Sequence, residues 1–209
     1  MQALREREID LSIIIPCYNL EKFIQPMLDS LKEQELGDYK VEIIFVLNNC
    51  TDDTEGVIRR SGLDCQIIYE TTQGCGPARN SGFKIARGRY IWFLDGDDWL
   101  LGTDAVKTAL DRTGGTLNVV YIPFASETYL GQYFSMVAQY MMRRDFIDEF
   151  EFPDYQPAED DAYMRQVLRK AKLDEIMYVF LPRVDRPLWY YNFLREGSNM
   201  WCYYFGVEI

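Results

Sequence analysis

The chain has 209 residues and carries 22 Lys and Arg against 33 Asp and Glu, a formal charge of −11. It contains no histidine, which excludes Ser-His-Asp, Cys-His and HExxH chemistry, leaves cysteines and carboxylates as metal ligands, and puts most acid–base work on carboxylates. A hydrophobic fraction of 48% and an aromatic fraction of 15% exclude a disordered chain, and the acidic balance disfavours strong general binding to nucleic acid, so none is expected.

In chain order, Leu11–Pro16 is a β-branched apolar run and reads as a buried strand. Leu20, Phe23, Ile24, Met27, Leu28 and Leu31 then repeat at helical spacing and predict an amphipathic helix. Val41–Leu47 predicts a second buried strand, followed by a helix to about Arg60 that Thr51 or Asp52 can cap. Cys65–Glu70 is a third strand, and Gln73–Gly82 leads into a helix with Pro77 in its first turn. Tyr90–Leu94 is a fourth strand that runs straight into Asp95-Gly96-Asp97-Asp98. Beyond it, 118–124 reads as a strand, 132–147 as a helix or irregular stretch, 159–170 as a helix, and 176–181 and 187–194 as late strands. The helix at 159–170 would present Tyr163, Val167, Leu168 and Ala171 on one face. Strands alternating with helices predict an α/β fold with a mostly parallel central sheet flanked by helices. Polar residues end the first, second and fourth strands, so they should collect on the rim where such sheets bind ligands.

Five cysteines (Cys17, Cys50, Cys65, Cys75 and Cys202) form no C-x-x-C pair, so reduced thiols and a cytoplasmic location are expected. The opening MQALREREID is too charged for a secretory signal, and no apolar run is long enough to span a bilayer.

Several clusters admit two readings. Asp95-Gly96-Asp97 is either a solvated turn with Gly96 at positive φ or a pair of oxygen ligands for Mg²⁺ or Mn²⁺, with Gly96 allowing close approach. Glu159-Asp160-Asp161 is either a set of dipole complements at a helix start or the source of a general base. Without histidine a carboxylate must serve as that base, and burial would have to raise its pKa. The segment holding Gly76 and Arg79 is an ordinary strand–helix loop or a cradle for a diphosphate. The segment Arg195–Ser198 is a turn or an anion clamp.

Taken in order, LSIIIPCYN, VEIIFVLNNCTDDT, GCGPARNSGFKIARGRYIWFLDGDDWL, AEDDAYM and YYNFLREGS resemble the inverting glycosyltransferases of family 2, which have the Rossmann-like GT-A fold. The resemblance covers about residues 10–200. It implies that Pro16, Tyr18 and Asn19 belong to the loop holding the nucleotide base, with Tyr18 packing near the ring. Asn48 stands where the family usually has an aspartate that bonds the base; the amide keeps an acceptor oxygen and loses the charge. Gly76 and Arg79 would lie near the diphosphate. Asp97 would be the direct ligand of Mn²⁺ or Mg²⁺, with Asp95 and Gly96 completing the motif and Asp95 also holding sugar or ribose. Asp160 would be the catalytic base, with Glu159 beside it, and Arg195 an anion clamp.

The expected activity is metal-dependent, inverting transfer of one sugar from a nucleoside-diphosphate sugar, a UDP-sugar first, to a hydroxyl of a glycan or other acceptor. No membrane helix or added domain is visible in the sequence, so one-step transfer is expected rather than polymerisation. One domain is expected over 1–209, with about 10–112 the donor-binding half and about 113–209 a smaller acceptor-side half. Two alternatives are a sugar-nucleotide nucleotidylyltransferase and an inactive nucleotide-sugar-binding module. The first should carry a Gly-rich loop where this chain reads PCYNLEKF; for the second, Asn48 speaks in favour and Asp97 and Asp160 against. Phe134, Tyr140 and Tyr155 are candidates for sugar stacking or for core. The aromatics 189–191 and 201–204 are open to use as core, acceptor platform or homodimer contact.

Overall fold

An unbroken apolar strand must be covered on both faces, and the central sheet of this protein meets that demand. The computed structural model describes residues 9–122, 124–125, 137–154, 159–171, 176–177 and 189–190. The elements are β1 (Leu11–Cys17), α1 (Gln25–Lys32), β2 (Val41–Asn48), α2 (Thr54–Ser61), β3 (Gln66–Glu70), α3 (Cys75–Ile85), β4 (Tyr90–Phe93) and β5 (Trp99–Leu100). They continue with α4 (Ala105–Arg112), β6 (Val119–Tyr121), β7 (Phe124–Ala125), a 3-10 turn (Val137–Gln139), β8 (Tyr140–Arg143), α5 (Arg144–Ile147), α6 (Glu159–Lys170), β9 (Ile176–Met177) and β10 (Trp189–Tyr190).

The large sheet has the order β3-β2-β1-β4-β8-β6-β9, and β5-β10-β7 form a small second sheet. All pairs in the large sheet are parallel except those of β8, which runs antiparallel to both β4 and β6. Successive residues of each inner strand feed opposite faces. Ile13, Ile15, Phe45, Leu47 and Trp92 join one hydrophobic cluster with α1 and α4. Ile14, Ile44, Val46, Ile91 and Phe93 join the other with α3 and α6. The period of two is therefore intact, although the sequence shows only continuous apolar runs.

Some sequence expectations shift. The first helix begins at Gln25 rather than Leu20, with Pro26 in its first turn, where a missing N–H leaves no bond broken. The span 118–124 divides between β6 and β7 in different sheets. The largest correction concerns 137–147, expected as part of a helix or irregular stretch, which holds a turn, a central strand and one short helix. Met141 and Met142 are both fully buried, on opposite faces, as strand residues between two neighbours must be. Tyr140 is buried as core. On α6, Tyr163 and Val167 are buried and Leu168 and Ala171 pack against the same cluster, as the spacing predicts. Of the late strands only β9 and β10 lie within the described residues. No helix among these residues is long and apolar enough to cross a membrane.

At the amino-end rim, Glu42 is buried on β2. It accepts hydrogen bonds from the Ser12 hydroxyl at 2.6 Å, the Arg87 peptide N–H at 2.6 Å and the Arg87 guanidinium at 2.9 Å. Burial alone would raise this carboxyl; the Ser12 and Arg87 bonds outweigh it and hold the pKa below the ordinary value. A depressed carboxyl contributes stability above its unfolded pKa and loses it as pH falls. Glu42→Gln should therefore cost about 1–3 kcal/mol at neutral pH. In thermal melts, the gap to wild type should narrow as pH falls below roughly 4; a pH-independent gap would contradict the assignment.

Candidate active site

The carboxyl ends of β1 and β2 carry two loops that are stitched to each other by side chains. Asn19, at φ 50°, accepts from the Thr51 N–H at 2.8 Å and the Asp52 N–H at 3.4 Å. In return Asp52 accepts from the Glu21 N–H at 2.9 Å, and Thr54 Oγ1 accepts from the Leu20 N–H at 2.7 Å. Asp52 also accepts from the Thr54 N–H at 3.1 Å, a local turn just ahead of α2; the N-cap position itself is Asp53, which makes no side-chain cap bond, so neither Thr51 nor Asp52 is the cap that the sequence suggests. Pro16 lies inside β1, paired with Val46 and buried, so the loop starts only after Cys17. The partner β4 reaches only Ile14, so proline sits at a one-sided position of the strand, where its missing N–H breaks no ladder. Tyr18 is 44% exposed at this rim, open to a stacking partner.

Asn48 ends β2 and is buried. Its Nδ2 donates to the carbonyls of Glu70 at 2.9 Å and Thr72 at 2.7 Å, and its Oδ1 accepts from the Gly74 N–H at 2.8 Å. Asn49, at φ 56°, donates to the Thr71 carbonyl at 3.0 Å. Asn48, the amide expected to face a base, thus holds the loop that precedes α3, together with Asn49. That loop ends on Gly74, whose φ of 136° is one that side chains rarely adopt.

The acidic residues converge beneath the same rim. Asp95 follows β4, while Glu159 and Asp160 open α6. All three meet Arg79 of α3, whose side chain is only 3% exposed. Arg79 Nη2 lies 2.8 Å from Asp95 Oδ1, and Nη1 lies 3.3 Å from Glu159 Oε1 and also bonds Asp160 Oδ1. Asp160 Oδ2 accepts from the Val137 N–H at 3.2 Å. Burial pushes the Asp160 carboxyl up to about 7; Asp95 and Glu159 add to the rise, while Arg79 pulls against it. Asp97 is half-buried on the turn after β4. It is near enough to Cys17 that Asp97, Asp52 and Asp95 together, after burial and Cys50, raise that thiol well above its ordinary value. The ends of β1, β2 and β4 therefore share one acidic rim. Cys17, Cys50, Cys65 and Cys75 are not in disulfides.

Two glycines serve packing. A β-carbon on Gly76 would collide with the Pro153 carbonyl oxygen, and one on Gly96 with the Leu20 side chain. Gly96 does not take the positive φ that a turn reading predicts, because it fits beneath the loop after β1. Asn80, which sequence reasoning missed, donates to the Phe152 carbonyl at 2.8 Å and accepts from its N–H at 2.9 Å. Phe152 stacks on Tyr163 of α6 at 3.8 Å between centroids. Arg79 and Asn80 thus fasten 152–153 and the start of α6 to α3. The only sequence signal was their adjacency in the segment already singled out for Arg79. Arg195 lies outside the described residues, as do Phe134 and Tyr155.

Among the described residues no group of three or more carboxylates and thiols forms a ready-made metal cage. Mg²⁺ and Mn²⁺ do not require one, since they take one or two carboxylates and complete their shell with phosphate and water. Asp97 and Asp95, the latter 32% exposed, supply hard oxygens of that kind, so the donor set fits.

This architecture is the GT-A fold. It superposes on Staphylococcus aureus TarS 1–349 in complex with UDP-GlcNAc with a TM-score of 0.77 and 24% identity, over 92% of this chain and 60% of that one. Glucosyl-3-phosphoglycerate synthase of Mycobacterium tuberculosis, in complex with Mn²⁺, UDP and phosphoglyceric acid, gives a TM-score of 0.63 at 18% identity, over 81% of this chain and 67% of that one. The chain belongs to glycosyl transferase family 2, whose model matches residues 12–157. The uncharacterized glycosyltransferase EpsJ of Bacillus subtilis (strain 168) is 31% identical over 81% of this chain and 60% of its own length. The poly(ribitol-phosphate) beta-N-acetylglucosaminyltransferase TarS of S. aureus (strain Mu50) is 33% identical over 43% of this chain and 16% of its own. The chain thus spans less than two thirds of the curated relatives it matches. Membership in this family sets aside the nucleotidylyltransferase alternative.

Asn48→Asp tests the loop clamp. The change removes both donors and sets a charge against two carbonyl oxygens, at a cost of about 1–3 kcal/mol. Thermal melts should show the loss; an unchanged midpoint would mean that the amide does not hold the loop.

Proposed function

We propose that this protein is a metal-dependent, inverting glycosyltransferase that moves one sugar from a UDP-sugar to an acceptor hydroxyl. The observation that carries the reading is the meeting of Asp95 and Asp160, distant in sequence, on one buried arginine at the carboxyl rim of the sheet. Family membership and the likeness to a fold that carries UDP-GlcNAc in TarS support it.

The base and ribose lie across the loops after β1 and β2, beside Tyr18. Asp97 and Asp95 would hold the divalent ion, which when bound would neutralise charge on the diphosphate. Asp160 accepts the proton of the acceptor hydroxyl. The freed oxygen forms a bond to the anomeric carbon on the face opposite the diphosphate. The bond from that carbon to the phosphate oxygen breaks, and the nucleoside diphosphate leaves with its electron pair. One displacement inverts configuration and needs no covalent intermediate. The partly buried Asp160 suits this work, since a carboxyl near neutrality is a stronger base than an exposed one.

Asp160→Asn should lower transfer, read as UDP-GlcNAc turnover with Mn²⁺, by about 10²–10⁴-fold while UDP binding survives; wild-type turnover would refute the base. Asp97→Ala should weaken Mn²⁺-dependent UDP binding in calorimetry by about tenfold or more; unchanged affinity would count against the ligand. Because Asp160 must be ionised to take a proton, wild-type kcat/KM should rise with pH through about 7 and fall away below it. An acid limb near the ordinary carboxylate range would oppose this.

A further inference from the structure

Three carboxylates on one guanidinium raise the question of which side the donor reaches. Arg79 is 3% exposed, whereas Asp95 is 32%, Asp160 22% and Glu159 11% exposed. The guanidinium also lies over the Phe152 ring, 5.3 Å from its centroid. The cation is therefore below the acids, with an aromatic ring against it, and a diphosphate arriving from solvent meets Asp95 and Asp160 first. Nη1 is taken by Asp160 and Glu159 and Nη2 bonds Asp95, so both ends of the fork face carboxylates; the Nε, buried on the protein side, has no hydrogen-bond partner among the described residues.

The geometry points to Arg79 as a positioning residue that ties the donor-side Asp95 to the base Asp160 and fixes the aim of both, without touching the donor. The inference rests on the reading of Asp160 as base, and it departs from the sequence expectation of an arginine beside the diphosphate. Its chemical basis is the planar fork of the guanidinium, which can hold carboxylates from two directions at once. One acid comes from the end of a sheet strand and the others from a helix about 65 residues later; no backbone pairing between β4 and α6 sets their spacing. The adjacent Asn80 makes the matching backbone clamp at Phe152, so α3 governs the placement of α6 through two neighbouring side chains.

The test compares donor KM with turnover. Arg79→Ala would leave three acids uncompensated, so Arg79→Lys is used, which keeps the cation and loses the fork. The assay is hydrolysis of UDP-GlcNAc, UDP-glucose and GDP-mannose with Mn²⁺, and calorimetry with UDP and Mn²⁺ counts competent sites. Arg79→Lys should lower turnover by about 100-fold, with donor KM within about twofold and UDP stoichiometry near that of wild type. Glu159→Gln removes the longest arm, at 3.3 Å, and should lower turnover by only a few-fold at unchanged KM. A rise in donor KM of about tenfold with turnover nearly kept would make Arg79 a donor ligand and overturn the inference. So would wild-type kinetics, or a loss of UDP stoichiometry that matches the loss of turnover. Asp160→Asn, run in parallel, separates the two readings. Wild-type turnover in that variant sinks the base itself. An inactive Asp160→Asn beside a fully active Arg79→Lys sinks the positioning role alone.

Discussion

A guanidinium taken almost wholly out of water must be neutralised where it lies, because an unpaired buried charge costs several kcal/mol. Arg79 is neutralised by acids from β4 and α6, and much of the functional rim follows from that pairing. The acids outnumber the cation, so the cluster keeps an excess of negative charge at its solvent side. That excess is what a divalent ion bound to a diphosphate would meet, and crowding and burial raise Asp160 toward neutrality. One residue thus links the fold to its chemistry, since removing it would disturb the helix start and the acids together.

The rest of the sheet makes such a cluster tolerable. Strands covered on both faces give a rigid platform, and helices α1 and α4 on one side and α3 and α6 on the other close it from water. Polar groups are then driven to the strand ends. At the amino ends they form the Ser12–Glu42–Arg87 network. At the carboxyl ends they form the loops of Asn19, Asn48 and Asp52, where side chains bond backbone groups that no strand or helix satisfies. These loops are therefore held by their own side chains, and an ordered loop lowers the ordering cost of any binding there.

Much of this was legible from residues alone. The four leading strands, the helices between them and the carboxyl-end rim follow from hydrophobic periodicity and strand–helix alternation. The acidic clusters at 95–98 and 159–161 stood out because a chain without histidine must use carboxylates. The span 137–147 was illegible because Met141 and Met142 are equally apolar, and an uninterrupted apolar run in a central strand carries no alternation to read. Asn80 was illegible because its partner, Phe152, is 72 residues away.

The sequence by itself determined which segments had to be buried and which chemistries were closed to the chain, since both depend on side-chain type and local spacing. Tertiary structure decided which polar groups are used for architecture. Asn48 and Gly76 are candidate ligand contacts in one dimension; in three, the amide is also seen to hold Glu70, Thr72 and Gly74, and the bare α-carbon to make room for Pro153. The depth of Arg79 beneath the acids likewise depends on how α3 and α6 pack against β4. The reason is physical: a hydrogen bond or an ion pair is decided by distance and desolvation, and neither is set until the chain is folded.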